Sequence, residues 1–100
     1  MKNSLIKHAS CPLCFPEKED CIVQLASLRL IFANEAHYPC FVRVVWNAHT
    51  REFSDLSPKE RSLLMEVVYV VEQCMRNILL PHKINHASFG NRVAHLHWHI

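Results

Sequence analysis

Val93-Ala94-His95-Leu96-His97-Trp98-His99-Ile100 alternates polar and apolar side chains from His95 onward. A period of two is that of a β-strand. The imidazoles of His95, His97 and His99 therefore project from one face, and Leu96, Trp98 and Ile100 from the other. Cβ atoms two residues apart on a strand are roughly 6–7 Å apart, so three titratable rings stand in a row. The apolar face is what a core needs. The imidazole face is costly to bury unless each ring has a partner. Three readings are open: a solvated polar face, a metal site of the H-x-H kind, or nucleophilic catalysis. In the last, a neutral imidazole attacks phosphorus while a neighbouring ring fixes its tautomer or passes a proton.

Upstream, Gly90-Asn91 signals a turn, and Lys83-Ile-Asn-His-Ala-Ser-Phe89 can form a strand. Before it, Ser57-Pro58-Lys59-Glu60 is a capping box with proline at the first helical position. Leu63, Leu64, Val67, Val68, Val71, Cys74, Met75, Ile78 and Leu79 then recur at spacings of three and four, one apolar stripe. Lys59, Glu60, Arg61, Glu66, Glu72 and Arg76 make the wet face. Pro81 stops the helix, which is expected over about Pro58 to Leu80. Further upstream, Cys21–Ala26 and Leu28–Ala33 read as strands of a hairpin. Asn34–Pro39 is a polar connection, and Phe41-Val-Arg-Val-Val-Trp46 is a strand rich in β-branched and aromatic residues. Trp46 and Trp98 read as core. Arg43 is out of place in that apolar strand, facing either solvent or a dimer interface. Strands, one long helix, then strands make an α+β fold with a mostly antiparallel sheet.

One hundred residues support one domain. Residues 1–10 are expected as a loose tail and 11–100 as the domain. Half the residues are apolar and 20% charged, which excludes a disordered chain. A net charge of +2 is too weak to argue for DNA or RNA as partners. Neither a secretory signal nor a membrane-spanning run is present in the sequence, so no membrane partner is expected. Five cysteines, an odd number, favour reduced thiols and a cytoplasmic location.

Cys11-Pro-Leu-Cys14 has the spacing of a zinc knuckle or a redox pair. A redox pair lacks the preceding strand and following helix. Two buried or loop thiols are the other reading. Cys21, Cys40 and Cys74 read as strand, loop and helix-core residues without chemistry. His8, His37, His82 and His86 read as solvated, with His86 nearest the loop before the last strand.

His95-Leu-His-Trp-His-Ile100 resembles the H-φ-H-φ-H-φ-φ signature of the histidine-triad (HIT) family of nucleotide hydrolases and transferases. Val44-Val-Trp-Asn-Ala-His49, Phe53-Ser-Asp-Leu-Ser57, the helix and Asn85 through Asn91 extend the likeness over most of the chain from Cys11. It is similar in particular to the bacterial, diadenosine-tetraphosphate-hydrolase-like branch. The resemblance implies a HIT-like fold and a homodimer. His97 would be the nucleophile, forming a nucleotidyl-imidazole intermediate. His99 would contact the phosphate, and His95 would support His97. Asn85, Gly90 and Asn91 fall where the family contacts phosphate, which suits a close backbone approach at glycine and amide donors. Asn34 and Glu35 fall at a ribose contact, or are turn residues. Zinc, where relatives bind it, would be held here by Cys11, Cys14, His49 and His95. The zinc would be structural, with no cofactor required for chemistry.

Two departures stand out. Pro39-Cys40-Phe41 lacks the His that many members carry after Pro-Gly. The sequence ends at Ile100, so the domain is expected to lack the family's C-terminal segment. The function implied is a nucleotide phosphohydrolase or phosphoramidase acting on a dinucleoside polyphosphate or nucleoside phosphoramidate. The alternative is a nucleotide- or zinc-binding module with little turnover.

Overall fold

A computed structural model describes residues 7–33 and 41–100. Four strands, β1 (Asp20–Gln24), β2 (Leu28–Phe32), β3 (Val42–Trp46) and β4 (His97–His99), form one antiparallel sheet in the order β1-β2-β3-β4. The helix α1 (Pro58–Leu79) lies between β3 and β4 in the chain. The α+β architecture expected from the sequence is therefore present. The pairing of β4 with β3 extends past the short strand itself, because Trp46 N–H donates to the Leu96 carbonyl and Val42 and Ile100 exchange both backbone hydrogen bonds.

Register decides which side chains share a face. Arg43 pairs with His99, Val44 with Trp98 and Val45 with His97. Paired residues point the same way, so Val42, Val44 and Trp46 join Leu96, Trp98 and Ile100 on the helix side. The core contains Leu28, Val44, Trp46, Leu64, Val68 and Leu96. Arg43, Val45, His97 and His99 share the opposite face. One register therefore sets both core and histidine row.

The helix begins as its sequence dictates. Glu60 N–H donates to Ser57 Oγ at 3.2 Å, Ser57 N–H donates to Glu60 Oε1 at 2.7 Å, and Pro58 occupies the first turn. Its last residue caps differently from a glycine end. Leu80 takes the left-handed conformation (φ 50°, ψ 50°) and its N–H donates to the Arg76 carbonyl. The apolar stripe is covered unevenly: Leu64 and Val68 are buried, Val67, Val71 and Met75 are partly buried against the core, and Leu63, Ile78 and Leu79 are exposed. Cys74, expected in the core, is exposed. With Ile22, Leu30, Phe32, Val70 and Ile78 it lines an open apolar groove of about 610 Å³ between α1 and the β1–β2 hairpin.

The strand expected over Lys83–Phe89 is reduced to a single bridge, in which Ala87 and His99 exchange both backbone hydrogen bonds. Most of its residues are exposed, so no apolar face holds the rest against β4. Among the described residues, no helix is long and apolar enough to cross a membrane.

Candidate functional site

The histidine row is partnered rather than solvated. His95 and His97 are buried and His99 is half-buried. Each has a distinct hydrogen-bond role that fixes its tautomer.

His97 Nδ1–H donates to the carbonyl oxygen of His95 at 2.6 Å. A carbonyl only accepts, so the proton sits on Nδ1 and Nε2 keeps a lone pair. Burial lowers the pKa of His97 below the ordinary histidine value, which holds the ring neutral. The carbonyl of His97 in turn accepts from Ser88 Oγ at 2.8 Å.

His99 is arranged the other way round. Its Nδ1 accepts from Arg43 Nε at 3.4 Å, leaving the proton on Nε2. Its ring lies edge-on to His97, with centroids 4.8 Å apart, and stacks on Phe41 at 5.1 Å. Burial first, then the charges of His97 and Arg43, push its pKa down to about 4.

His95 turns toward a different set of groups. Its Nε2–H donates to the Trp46 carbonyl, and its Nδ1 lies 3.3 Å from Cys11 Sγ and 3.4 Å from Cys14 Sγ. Burial pushes its pKa down to about 4, so Nδ1 is a bare lone pair at neutral pH. His49 Nδ1 lies 3.3 Å from Cys14 Sγ, and burial lowers its pKa too. The ligand atoms of Cys11, Cys14, His49 and His95 all lie within 4.8 Å of one another and could hold a metal ion. Sulfur and nitrogen at ordinary zinc bond lengths sit roughly 3.6 Å apart across a tetrahedral edge, close to the separations found. The donor set of two thiols and two neutral imidazoles suits a zinc-like ion. The backbone carbonyl behind His95 is the outer partner such a ligand ordinarily has.

The loop carrying the cysteines is tied down by Arg29. Its guanidinium grips Glu19 through two bonds (2.7 and 2.9 Å) and donates to Asn47 Oδ1 and to the Leu13 carbonyl between the two cysteines. His8, read as solvated, is exposed, but its ring packs 5.2 Å from that of His49 and its N–H donates to Cys14 Sγ. His86 is likewise exposed, yet it bonds Glu72 Oε1 at 2.6 Å and accepts from Trp98 Nε1.

Asn85, Gly90 and Asn91 lie on the exposed segment between α1 and β4. Gly90 has no positive φ, and among the described residues a Cβ there would meet only the Val93 carbonyl at 3.8 Å, so nothing in them demands glycine. Asn34 and Glu35, the ribose candidates, fall outside the described residues, as do Pro39 and Cys40. Ser88, Arg29 and the Trp46 carbonyl are site groups that the sequence reading did not single out. Arg43 had only its misplacement as a signal.

Several solved structures share this arrangement of elements. A histidine triad protein from Bradyrhizobium japonicum superposes with a TM-score of 0.75 at 27% identity, covering 83% of this chain and 62% of its own. One from Sinorhizobium meliloti gives 0.74 at 24% identity, over 81% and 60%. One from Clostridium difficile gives 0.66 at 15% identity, over 94% and 90%. The latter two show a common fold. The chain thus spans less than two thirds of the first two. No curated protein matches it. The family model for the HIT domain matches residues 16–100, which takes in the sheet, α1 and all three histidines, and on that ground the chain belongs to the HIT family.

Proposed function

We propose that the protein is a nucleotide phosphohydrolase or phosphoramidase working through a nucleotidyl-His97 intermediate. HIT proteins are in general nucleotide hydrolases or transferases. The observation that carries the reading is the tautomer of His97. With its proton anchored on the His95 carbonyl, Nε2 is the free, neutral nucleophile that attack on phosphorus needs. Nε2 forms a bond to the α-phosphorus while the P–O or P–N bond to the leaving group breaks, and the leaving group takes its proton from solvent water. Water then cleaves the P–N bond to His97, releasing the nucleoside monophosphate and restoring the imidazole. His99 supplies its Nε2–H to a phosphoryl oxygen, and Asn85 and Asn91 supply amide donors. Gly90, unexplained by packing among the described residues, admits the phosphate close to the backbone.

The substrates we favour are dinucleoside polyphosphates or nucleoside phosphoramidates, as in the diadenosine-tetraphosphate-hydrolase-like branch. A structural zinc on Cys11, Cys14, His49 and His95 would lock the N-terminal loop to β4 and hold His95 still. Reduced thiols there fit a cytoplasmic protein. The open groove beside α1 fits a homodimer.

The test is turnover of adenosine phosphoramidate, with intact-mass analysis after brief incubation. Wild type should show a gain of one adenylyl group and release AMP. His97→Ala should do neither, and turnover retained in His97→Ala would refute the assignment. The absence of a His after Pro39 favours a second reading, a binding module, which zinc without any adduct would support.

A further inference from the structure

We propose that Arg43 is the residue that positions His99 and the cation that anchors the substrate's phosphate beside it. The inference rests on the reading of the histidine row as a phosphoryl site, and it names a residue outside that row.

Two arginines project from the histidine face of the sheet, and they differ in kind. Register puts Arg29 opposite Val45 and Arg43 opposite His99. Arg29 is consumed by the structure: a bidentate carboxylate, an amide oxygen and a backbone carbonyl take its donors. Among the described residues Arg43 makes one hydrogen bond, from Nε to His99 Nδ1. Among the described residues no carboxylate lies within ion-pair distance of it; the ion pairs there are Arg29–Glu19 and His86–Glu72. Among the described residues the terminal amino groups of this half-buried guanidinium have no hydrogen-bond partner, and since no buried side-chain nitrogen there lacks one, they face solvent and are open to an anion. The planar fork suits a phosphate, which accepts two parallel bonds. Arg43 also borders a cleft of about 670 Å³ that carries Lys18 together with the carboxylate residues Glu17, Glu19 and Asp20, Glu19 being taken by Arg29; none of the three histidines lines it, so the phosphate is placed at the Arg43–His99 contact itself.

The same contact dictates what His99 can do. A guanidinium only donates. While Nε–H points at Nδ1, the His99 proton must be on Nε2, where it can donate to phosphate. Arg43 thus acts on the anion twice, directly through its amino groups and through the ring it orients. The ligand class is the phosphate of a nucleotide.

Two measurements on the full chain test this. Long-range 1H–15N spectra of the imidazoles at pH 7 read tautomers without reference to turnover: wild-type His99 should be the Nε2–H form. Arg43→Met should turn it into a mixture, and calorimetric titration should show at least tenfold weaker binding of AMP. The proposal is overturned if wild-type His99 carries its proton on Nδ1, an outcome readable even should the variant fail to fold. It is equally overturned if Arg43→Met binds AMP as wild type does. Failure of the nucleophile assignment is a separate result: His97→Ala would keep its turnover while the Arg43 measurements stand on their own.

Discussion

His97 and His95 are linked by a hydrogen bond that runs along their own strand, from the Nδ1–H of one ring to the backbone carbonyl of the other at 2.6 Å. The residue whose ring lies against the two cysteines thereby sets the protonation of its neighbour. Its carbonyl accepts from His97 and its ring faces the cysteines, so three like residues on one face have three unlike sets of partners.

The first prediction concerns the acid side of the rate profile. Burial lowers the pKa of His97, so the lone pair on Nε2 persists below pH ~6.5, where an ordinary histidine protonates. The acid limb of kcat/KM should fall below pH 6.5, measured with adenosine phosphoramidate between pH 4.5 and 8. A midpoint at or above 6.5 would contradict the burial argument.

Stability should follow the same sign. The pKa of His99 is pushed to about 4 in the folded chain, against ~6.5 unfolded. Between those values the unfolded state binds more protons, so this residue makes stability fall as pH drops from about 6.5 toward 4. Urea midpoints at pH 7 and pH 5 should differ in that direction, and His99→Gln should reduce the difference.

Metal analysis of the purified protein should find one zinc per chain. Cys14→Ser should lose it, because the sulfur lies against both His49 Nδ1 and His95 Nδ1. Removal by chelator or by that substitution should lower Tm by at least ~10 °C, since binding energy at a structural site is folding energy. Full zinc occupancy in Cys14→Ser would exclude this ligand set.

At the helix end, Leu80 holds a left-handed conformation at φ 50° and the residue is 81% exposed. A side chain there costs roughly 1–2 kcal/mol that glycine avoids, against a smaller entropic penalty in the unfolded chain. Leu80→Gly should stabilise by about 0.5–1 kcal/mol and raise Tm by about 2–8 °C, read by thermal unfolding.

The groove makes a claim about assembly. Ile78 is 76% exposed on its rim, a large apolar residue facing water. Sedimentation should give twice the chain mass for wild type and a single chain mass for Ile78→Glu. A variant that stays dimeric would move the interface elsewhere.

What was legible in the sequence was local. Alternation over His95–Ile100 assigned the two faces of β4, and Ser57-Pro58 with Glu60 located the start of α1, because both patterns repeat within a few residues. Arg43 beside His99 was not legible: it depends on which residue of β3 faces which of β4. The carbonyl of Trp46 behind His95 is backbone, so no side-chain pattern announces it. Cys74 failed for a related reason. Its spacing marks the apolar stripe, but the stripe is longer than the part of the sheet that covers it. The grouping of Cys11 and Cys14 with His49 and His95 is legible only through family resemblance, since spacing alone joins only the cysteines.

His86 ties Glu72 of α1 to the indole of Trp98, the residue between His97 and His99. Helix α1 and strand β4 are thus joined by side-chain hydrogen bonds as well as by shared core packing. Any motion that tilts the helix must either break one of these two hydrogen bonds or carry Trp98, and with it the stretch of strand between His97 and His99, along with it.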